Sequence, residues 1–305
     1  MQNKGSTSVG NPPLIRLLTS DQWEDYELLD SGSGSKLERF GKYKFIRHEH
    51  QAIWEPALSQ SEWDAADAVF VASSEESGGK WQFRRGIEVP WKMRYKKLSF
   101  MARTSNSRHL GVFPEQASHW DWIQMQVRSA GKVARVLNLF GYTGLASLAA
   151  AEAGAHVTQV DASKKAIQYA KENQQLSGLG DKPIRWIIDD AVKFIKREAR
   201  REVRYDGIIL DPPKFGRGPK GEVWEFFKML PYLLDEIKSI LSPRPIFLVI
   251  TAYAIRASAL SLHYAIEEMM ASFHGDVSCG ELVMREKSAG RILSMAIYAR
   301  WSSIG

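Results

Sequence analysis

The sequence predicts an α/β protein in which a doubly wound, largely parallel sheet follows a smaller β-rich domain. Three observations carry this reading. From Gln116 onward, apolar runs of strand length alternate with stretches of helical period, and such alternation lays right-handed crossover helices over both faces of a parallel sheet. Before Gln116 the chain is rich in Trp, Tyr and Phe in short alternating segments broken by Ser/Gly turns, the mark of a small, mostly antiparallel β domain. Two strand-like segments then follow one another near 276–285 and 292–301, which predicts a hairpin closing one edge of the large sheet. A chain of 305 residues is long enough for two cores. The expected organisation is a flexible tail over 1–20, the β-rich (α+β) domain over 21–115 and the doubly wound domain over 116–305.

In the first domain, strands are expected at 42–47, 68–72, 80–84, 93–100 and 109–113, with one short helix at 61–66. The second domain opens with a helix at 116–129, where Trp120, Ile123 and Val127 recur at spacings of three and four. Strands at 135–139, 156–160, 184–188, 205–210 and 246–251 then alternate with helices at 143–153, 164–177, 191–200, 223–241 and 258–273. With the closing hairpin this makes a seven-stranded, Rossmann-like sheet. No internal repeat at a solenoid period is visible.

Composition narrows the setting. Hydrophobic residues make up 44% and charged residues 25%, proportions of a globular protein in water, and no apolar run approaches the roughly 20 residues that span a bilayer. The opening MQNKGSTSVGNPP has no apolar leader core and reads as a tail. A single cysteine, Cys279, excludes an internal disulfide and a multi-cysteine zinc cluster and fits a reducing compartment, so the cytoplasm is expected. His48, His50 and His109 lack metal-ligand spacing, and no metal is expected. A net charge of +6 favours polyanions through counterion release.

The residues that carry chemistry fall at successive strand ends. The first strand runs into Asn138-Leu139-Phe140-Gly141-Tyr142-Thr143-Gly144, directly before a helix. Glycines there allow a tight turn and close approach of a ligand to free helix N–H groups. The G-x-x-G spacing is a poor match to the G-x-G-x-x-G of pyrophosphate binders and leaves room for an adenosine ligand without phosphates. The second strand ends at Asp161-Ala162-Ser163, where a carboxylate can accept from a ribose diol or cap the next helix. Asp189-Asp190-Ala191, after the third strand, carries the same two alternatives, an adenine amine or a cap. The fourth strand ends in Asp211-Pro212-Pro213-Lys214-Phe215. Two prolines stiffen the backbone there and remove N–H donors, so an Asp and rigid carbonyls face a planar amino or amide group. Lys214, Arg217 and Lys220 follow, placed to hold a phosphate.

Taken together these residues resemble the class I methyltransferases, and more closely the bacterial family of large-subunit ribosomal RNA methyltransferases that modify cytosine C5 or guanine N7. The resemblance covers 109–301, about two thirds of the chain. It rests on N-L-F-G-Y-T-G, D-P-P-K-F, the closing segment from Gly280-Glu281-Leu282 to Ala299-Arg300-Trp301, and His109-Leu110-Gly111-Val112-Phe113-Pro114-Glu115-Gln116 as the element joining the two domains. It implies S-adenosylmethionine as cofactor, contacts to it at Gly141, Asp161, Asp190 and Asp211, and methyl transfer at 212–215. The full candidate cofactor set is Asn138, Phe140, Gly141, Tyr142, Thr143, Gly144, Asp161, Ala162, Ser163, Asp189, Asp190, Ala191 and Asp211. The candidate catalytic set is Asp211, Pro212, Pro213, Lys214 and Phe215.

Two departures shape the expected chemistry. Nothing in the first domain matches the family's RNA-binding PUA module. Cytosine C5 needs a thiolate adding to C6, and the positions after the fourth and fifth strands hold Asp211-Pro212-Pro213-Lys214 and Thr251-Ala252-Tyr253, with no cysteine. The expectation is therefore transfer to a base nitrogen of RNA, ribosomal RNA first, without a covalent intermediate, and with Phe215 or Tyr142 stacking on the base. A protein or small-molecule acceptor and a non-catalytic RNA-binding protein are the alternatives. Lys92, Arg94, Lys96, Lys97 and Arg103 alternate with apolar residues and are expected on an RNA-facing β surface. Lys196, Arg197, Arg200, Arg201 and Arg204 read as a solvated helix face. Oligomeric state stays open, a homo-oligomer included.

Overall fold

The computed structural model describes residues 12–73 and 78–304. Its elements in chain order begin with Ile15–Thr19 (β1), Tyr26–Gly32 (β2), Ser35–Phe40 (β3), Tyr43–His48 (β4), Gln60–Asp64 (α1), Ala68–Ala72 (β5) and Gly79–Phe83 (β6). Strands β2 to β6 form one sheet in chain order, antiparallel except for the β4–β5 pair that α1 bridges. Trp91–Tyr95 (β7) and Leu98–Ala102 (β8) make a separate hairpin. The second domain then runs Ala117–Ser129 (α2), Arg135–Leu139 (β9), Leu145–Glu152 (α3), His156–Asp161 (β10), Lys164–Leu176 (α4), Ile184–Ile188 (β11), Ala191–Arg200 (α5) and Gly207–Leu210 (β12). It continues with Phe215–Arg217 (β13), Val223–Glu225 (β14), Phe226–Lys238 (α6), Phe247–Ala252 (β15), Ala259–Met270 (α7), Asp276–Arg285 (β16) and Ile292–Ser302 (β17).

The large sheet has eight strands in the order β1-β16-β17-β15-β12-β9-β10-β11, parallel throughout except where β17 runs against β15 and β16. Its centre is buried on both faces, so β12 and β15 are buried at every position and read as unbroken apolar runs. Alternation sorts their side chains. Leu137, Leu139, Ile208, Leu210, Leu248 and Ile250 pack on the α5–α6–α7 layer, while Val136, Ile209, Phe247 and Val249 pack on Ile123 and Val127 of α2 and Ala150 and Ala151 of α3. The expected doubly wound α/β fold with a mostly antiparallel companion is the fold observed.

Several expectations change in detail. The tail predicted over 1–20 gives way at Ile15–Thr19 to an edge strand, the eighth of the large sheet, parallel to β16; residues 1–11 lie outside the described residues. The strand expected at 93–100 is part of the β7–β8 hairpin, which turns at Lys96 with a left-handed φ of +49°. Residues 109–113 form no strand. The helix expected from 223 begins at Phe226, because 223–225 pair with β13 as a small hairpin. Cys279 is buried in the core.

The two domains are joined by buried polar groups as well as apolar contacts. Glu286 at the end of the β16–β17 pair is 1% exposed; it accepts from Ser31 Oγ at 2.5 Å and from Arg291 Nε at 2.5 Å. Asp30 accepts from Ser288 Oγ at 2.6 Å. The β7–β8 hairpin is held against α4 by Asn173 and Ser177, whose side chains bond the backbones of Met101 and Ser99.

Candidate functional site

The strand order reverses beside β9, with β10 and β11 on one side and β12 and β15 on the other. That reversal opens a crevice at the carboxyl ends of the strands. Register keeps the ends level: Val160 and Leu210 both pair with Leu139, and Asp161 pairs with Ile188. The predicted groups Phe140–Gly144, Asp161, Asp189 and Asp211 are thus brought to one edge.

The turn after β9 is set by a buried polar network. Asn138 Nδ2 donates to Ser147 Oγ (2.9 Å), Ser147 Oγ donates to Gln159 Oε1 (2.7 Å), and Gln159 Nε2 donates to the Tyr142 carbonyl (3.0 Å). Phe140 and Tyr142 are left-handed, with φ of +61° and +47°, which costs about 1 kcal/mol or more for each residue. Gly141 passes so close to Gln159 that a Cβ there would lie 2.4 Å from its Cδ. Gly144, at φ +87°, begins α3, and a Cβ on it would meet Ala170 Cβ at 2.8 Å. Thr143 Oγ1 donates to the Gly111 carbonyl, and Asn173 Nδ2 to that of Thr143. Asn138 and Thr143 are therefore buried supports beneath the turn, spending their polar groups inside the protein.

Asp161 accepts from the Tyr142 amide (2.9 Å) and the Ser163 amide (2.8 Å), one on each carboxylate oxygen. Its remaining lone pairs suit a diol. Burial holds its carboxyl above the usual range, against the two amides that favour the charged form. Ser163 caps α4 through Ala166 N, with Ala162 between them and the strand, and Asp190 caps α5 through Lys193 N at the Ala191 end. Asp189 is ion-paired to Arg197 at 2.7 Å. At these positions helix capping is present, as the plainer alternative requires.

Asp211 is the unusual group. Its one side-chain hydrogen bond comes from Gln116 Nε2 at 3.2 Å, and it forms no ion pair among the described residues. Burial, then the negative charges of Glu115 and Asp161, push its carboxyl up to about 8. Pro212 is buried, while Pro213 and Lys214 are exposed and Phe215 is 56% exposed. The carbonyls expected to face the cleft are partly spent: that of Pro213 accepts from Trp224 Nε1 (2.6 Å) and that of Lys214 from Phe226 N (3.1 Å). Trp224 also packs on Phe140, 4.9 Å between centroids, so the β13–β14 hairpin is anchored to the glycine turn with Phe215 outside. A cavity runs beneath this edge, lined by Phe113, Gln116, His119, Tyr142, Asp211 and Thr251 among others.

An acidic group with no cationic partner, at a strand edge with further acceptors, matches a positively charged adenosyl ligand better than a pyrophosphate. The comparisons agree. A model of the S-adenosylmethionine-dependent methyltransferase family matches residues 56–270. The chain belongs to that family. The crystal structure of the SAM dependent methyltransferase from Agrobacterium tumefaciens is 48% identical, covers 95% of this chain and 94% of its own, and superposes with a TM-score of 0.90. SMU.776 in complex with SAH, 17% identical over 92% of this chain and 76% of its own, shares the fold with a TM-score of 0.71. Ribosomal RNA large subunit methyltransferase K/L of Shewanella sp. (strain ANA-3) is 41% identical over 98 residues, and methyltransferase I of Klebsiella pneumoniae (strain 342) is 38% identical over 82. The matches span 14% and 20% of the length of those two relatives. The enzyme is thus a methyltransferase that uses S-adenosylmethionine.

The raised Asp211 carboxyl gives a pH prediction. A cation bound beside an acid favours its ionised form, so below about 8 cofactor binding must release a proton. Affinity for S-adenosylmethionine should rise towards tenfold per pH unit up to that point and level off above it. Without cofactor, the folded state holds this proton where the unfolded chain has lost it, so Asp211 lowers stability as pH rises from the ordinary carboxylate range to about 8. Calorimetric titrations in buffers of different ionisation enthalpy read the proton directly; uniform affinity across this range would contradict the assignment.

Sequence reasoning missed Glu115 and Tyr253. Glu115 is 2% exposed, and the buried Tyr253 hydroxyl lies against it and Gln116. In the sequence Glu115 reads only as part of the element joining the domains and Tyr253 only as a position without cysteine; the fold couples their charges to Asp211.

Proposed function

We propose that the enzyme methylates a base of RNA, ribosomal RNA first, in the cytoplasm, by direct transfer without a covalent cysteine intermediate. The observation that carries this is the rim of the site: exposed Phe215 and, on the same hairpin, exposed Arg217, followed by exposed Lys220. An apolar ring flanked by cations suits an unstacked base and its phosphates. The β7–β8 hairpin adds exposed Lys92, Arg94, Lys96 and Lys97 over buried Trp91, Met93, Tyr95 and Leu98, though Lys96 and Lys97 are paired with Asp121 and Glu152. Relatives named as ribosomal RNA methyltransferases support the same class. No helix among the described residues is long and apolar enough to cross a membrane.

S-Adenosylmethionine supplies an activated methyl group when bound. On this reading Phe140–Gly144, Asp161–Ser163 and Asp189–Ala191 hold it, with Asn138 and Thr143 supporting the turn. Asp211 compensates positive charge, the stiff Pro212-Pro213 segment fixes the acceptor edge, Lys214 lies beside it, and Phe215 stacks. Catalysis is then chiefly alignment and charge placement. With isotope-labelled cofactor and a bacterial lysate, label should enter material destroyed by ribonuclease; label destroyed only by protease would assign a protein acceptor instead.

A further inference from the structure

One helical turn beyond the bond between Gln116 and Asp211 lies a pair of residues that no motif marks. His119 stands in the first turn of α2, three residues after Gln116, and is 2% exposed. Side chains three apart share a helix face, and each leans towards the helix N-terminus. The ring is therefore directed to the strand ends, where Gln116 meets Asp211. It lines the same cavity as Gln116, Asp211 and Thr251, whose apolar wall includes Ile123, Ile209 and Val249.

Arg300 of β17 sets the state of that ring. Its Nε donates to His119 Nδ1 at 2.9 Å, and a second guanidinium nitrogen reaches the same atom. Burial, then the charge of Arg300, holds the imidazole well below the usual histidine range, so it is neutral. In a neutral ring the nitrogen that accepts carries no proton, and the other must be N–H. That other nitrogen, Nε2, is buried without a hydrogen-bond partner. Arg300 is buried too and forms no ion pair among the described residues. It donates to the Ser118 carbonyl at 2.8 Å and lies over the rings of Trp122 and Tyr298, at 4.7 and 5.3 Å.

Buried donors without partners are rare in native folds, and buried cations without a counter-ion are rarer. Together they make a donor backed by positive charge, turned into a cavity at the cofactor edge. The strand-end groups Asp161 and Asp211 suit the diol and the positive charges of S-adenosylmethionine. The cofactor also carries one negative group, the carboxylate of its amino-acid arm, which those acids repel. Among the side chains lining the cavity, Asn138 and Thr143 spend their donors inside the protein and Gln116 gives one to Asp211, whereas His119 keeps one unspent.

We propose that the Nε2–H of His119, backed by Arg300 as a positioning residue, holds the carboxylate of the cofactor's amino-acid arm. The arm is then recognised as a zwitterion, its ammonium on the side of Asp211 and its carboxylate on the side of His119. This holds for any methyl acceptor, RNA or not.

The test titrates the full chain by calorimetry with S-adenosylmethionine and with its decarboxylated form, which keeps the sulfonium and the ammonium but lacks the carboxylate. The wild type should bind the decarboxylated form about 10- to 10²-fold more weakly. In His119→Asn an amide oxygen still accepts from Arg300, but nothing reaches the Nε2 position. That variant should lose affinity for S-adenosylmethionine by a similar factor and bind the decarboxylated form as the wild type does. His119→Gln, whose amide does reach that position, should recover part of the loss. An equal loss for both ligands in a cooperatively melting His119→Asn, or a loss for neither, overturns the proposal. With nitrogen-labelled histidine, the His119 Nε2–H resonance of the wild type should shift on adding the natural cofactor and stay in place with the decarboxylated one. The same shift with both ligands excludes the carboxylate as the partner, so the wild type decides even if neither variant folds.

Discussion

Asp211→Asn is expected to lower methyl transfer about 10²- to 10³-fold while the melting temperature at neutral pH holds or rises. The side chain keeps its shape and its neighbour Gln116 but loses the negative charge that a bound cation needs. No lysine or arginine pairs with Asp211 among the described residues, so removing its charge strands no buried cation. The charge it carries is already opposed by burial and by Glu115 and Asp161. Stability should match the wild type below the ordinary carboxylate range, exceed it increasingly from there to about 8, and keep that gain above. Cofactor affinity should fall and lose its pH dependence. Full transfer by the variant would remove Asp211 from the reaction; a collapse in stability would make it a structural residue.

Gly141→Ala should damage the fold and the cofactor site together. The added methyl would sit 2.4 Å from Gln159 Cδ and 2.5 Å from its Cγ. Gln159 is fully buried and held at both ends, by Ser147 and by the Tyr142 carbonyl, so it cannot swing aside. Either the turn lifts, moving the Tyr142 amide off Asp161, or the buried network breaks. A loss of about 1–3 kcal/mol is expected from overpacking alone, with cofactor affinity reduced at least about tenfold, since a misplaced amide loses a charge-assisted hydrogen bond. Thermal melts with and without S-adenosylmethionine separate the two effects; an unshifted melt and intact affinity would mean the site is more pliable than its packing implies.

Much of this was readable in the sequence where local pattern and burial coincide. The bounds expected for β9, β11, α5 and β16 are those observed, because each is a clear apolar period between turn residues. The strand-end carboxylates were legible for the same reason, as they mark where the apolar runs stop. The β7–β8 turn was not, since it is made by Lys96-Lys97 with a left-handed lysine and carries no Gly, Asn or Pro. Strand β1 was hidden because Ile15 and Leu17 are exposed, leaving no two-sided pattern, and its partner lies at the far end of the chain. The burial of Glu115 and its coupling to Asp211 were not legible, because a carboxylate in a surface turn and one in a buried turn read alike.

The pairing of β1 with β16 has a consequence for how the protein is made. Arg16 stands opposite Gly280, and the approach is so close that a Cβ on Gly280 would fall 1.7 Å from the Arg16 carbonyl oxygen. Strand β1 therefore leaves the ribosome long before its partner and finds its place only once β16 has followed it. Until then β16 presents a bare edge, and an unprotected edge is a template for pairing with other chains. Closure of the sheet is thus a late event in biogenesis, and the residue that permits it is a glycine no bulkier side chain can replace.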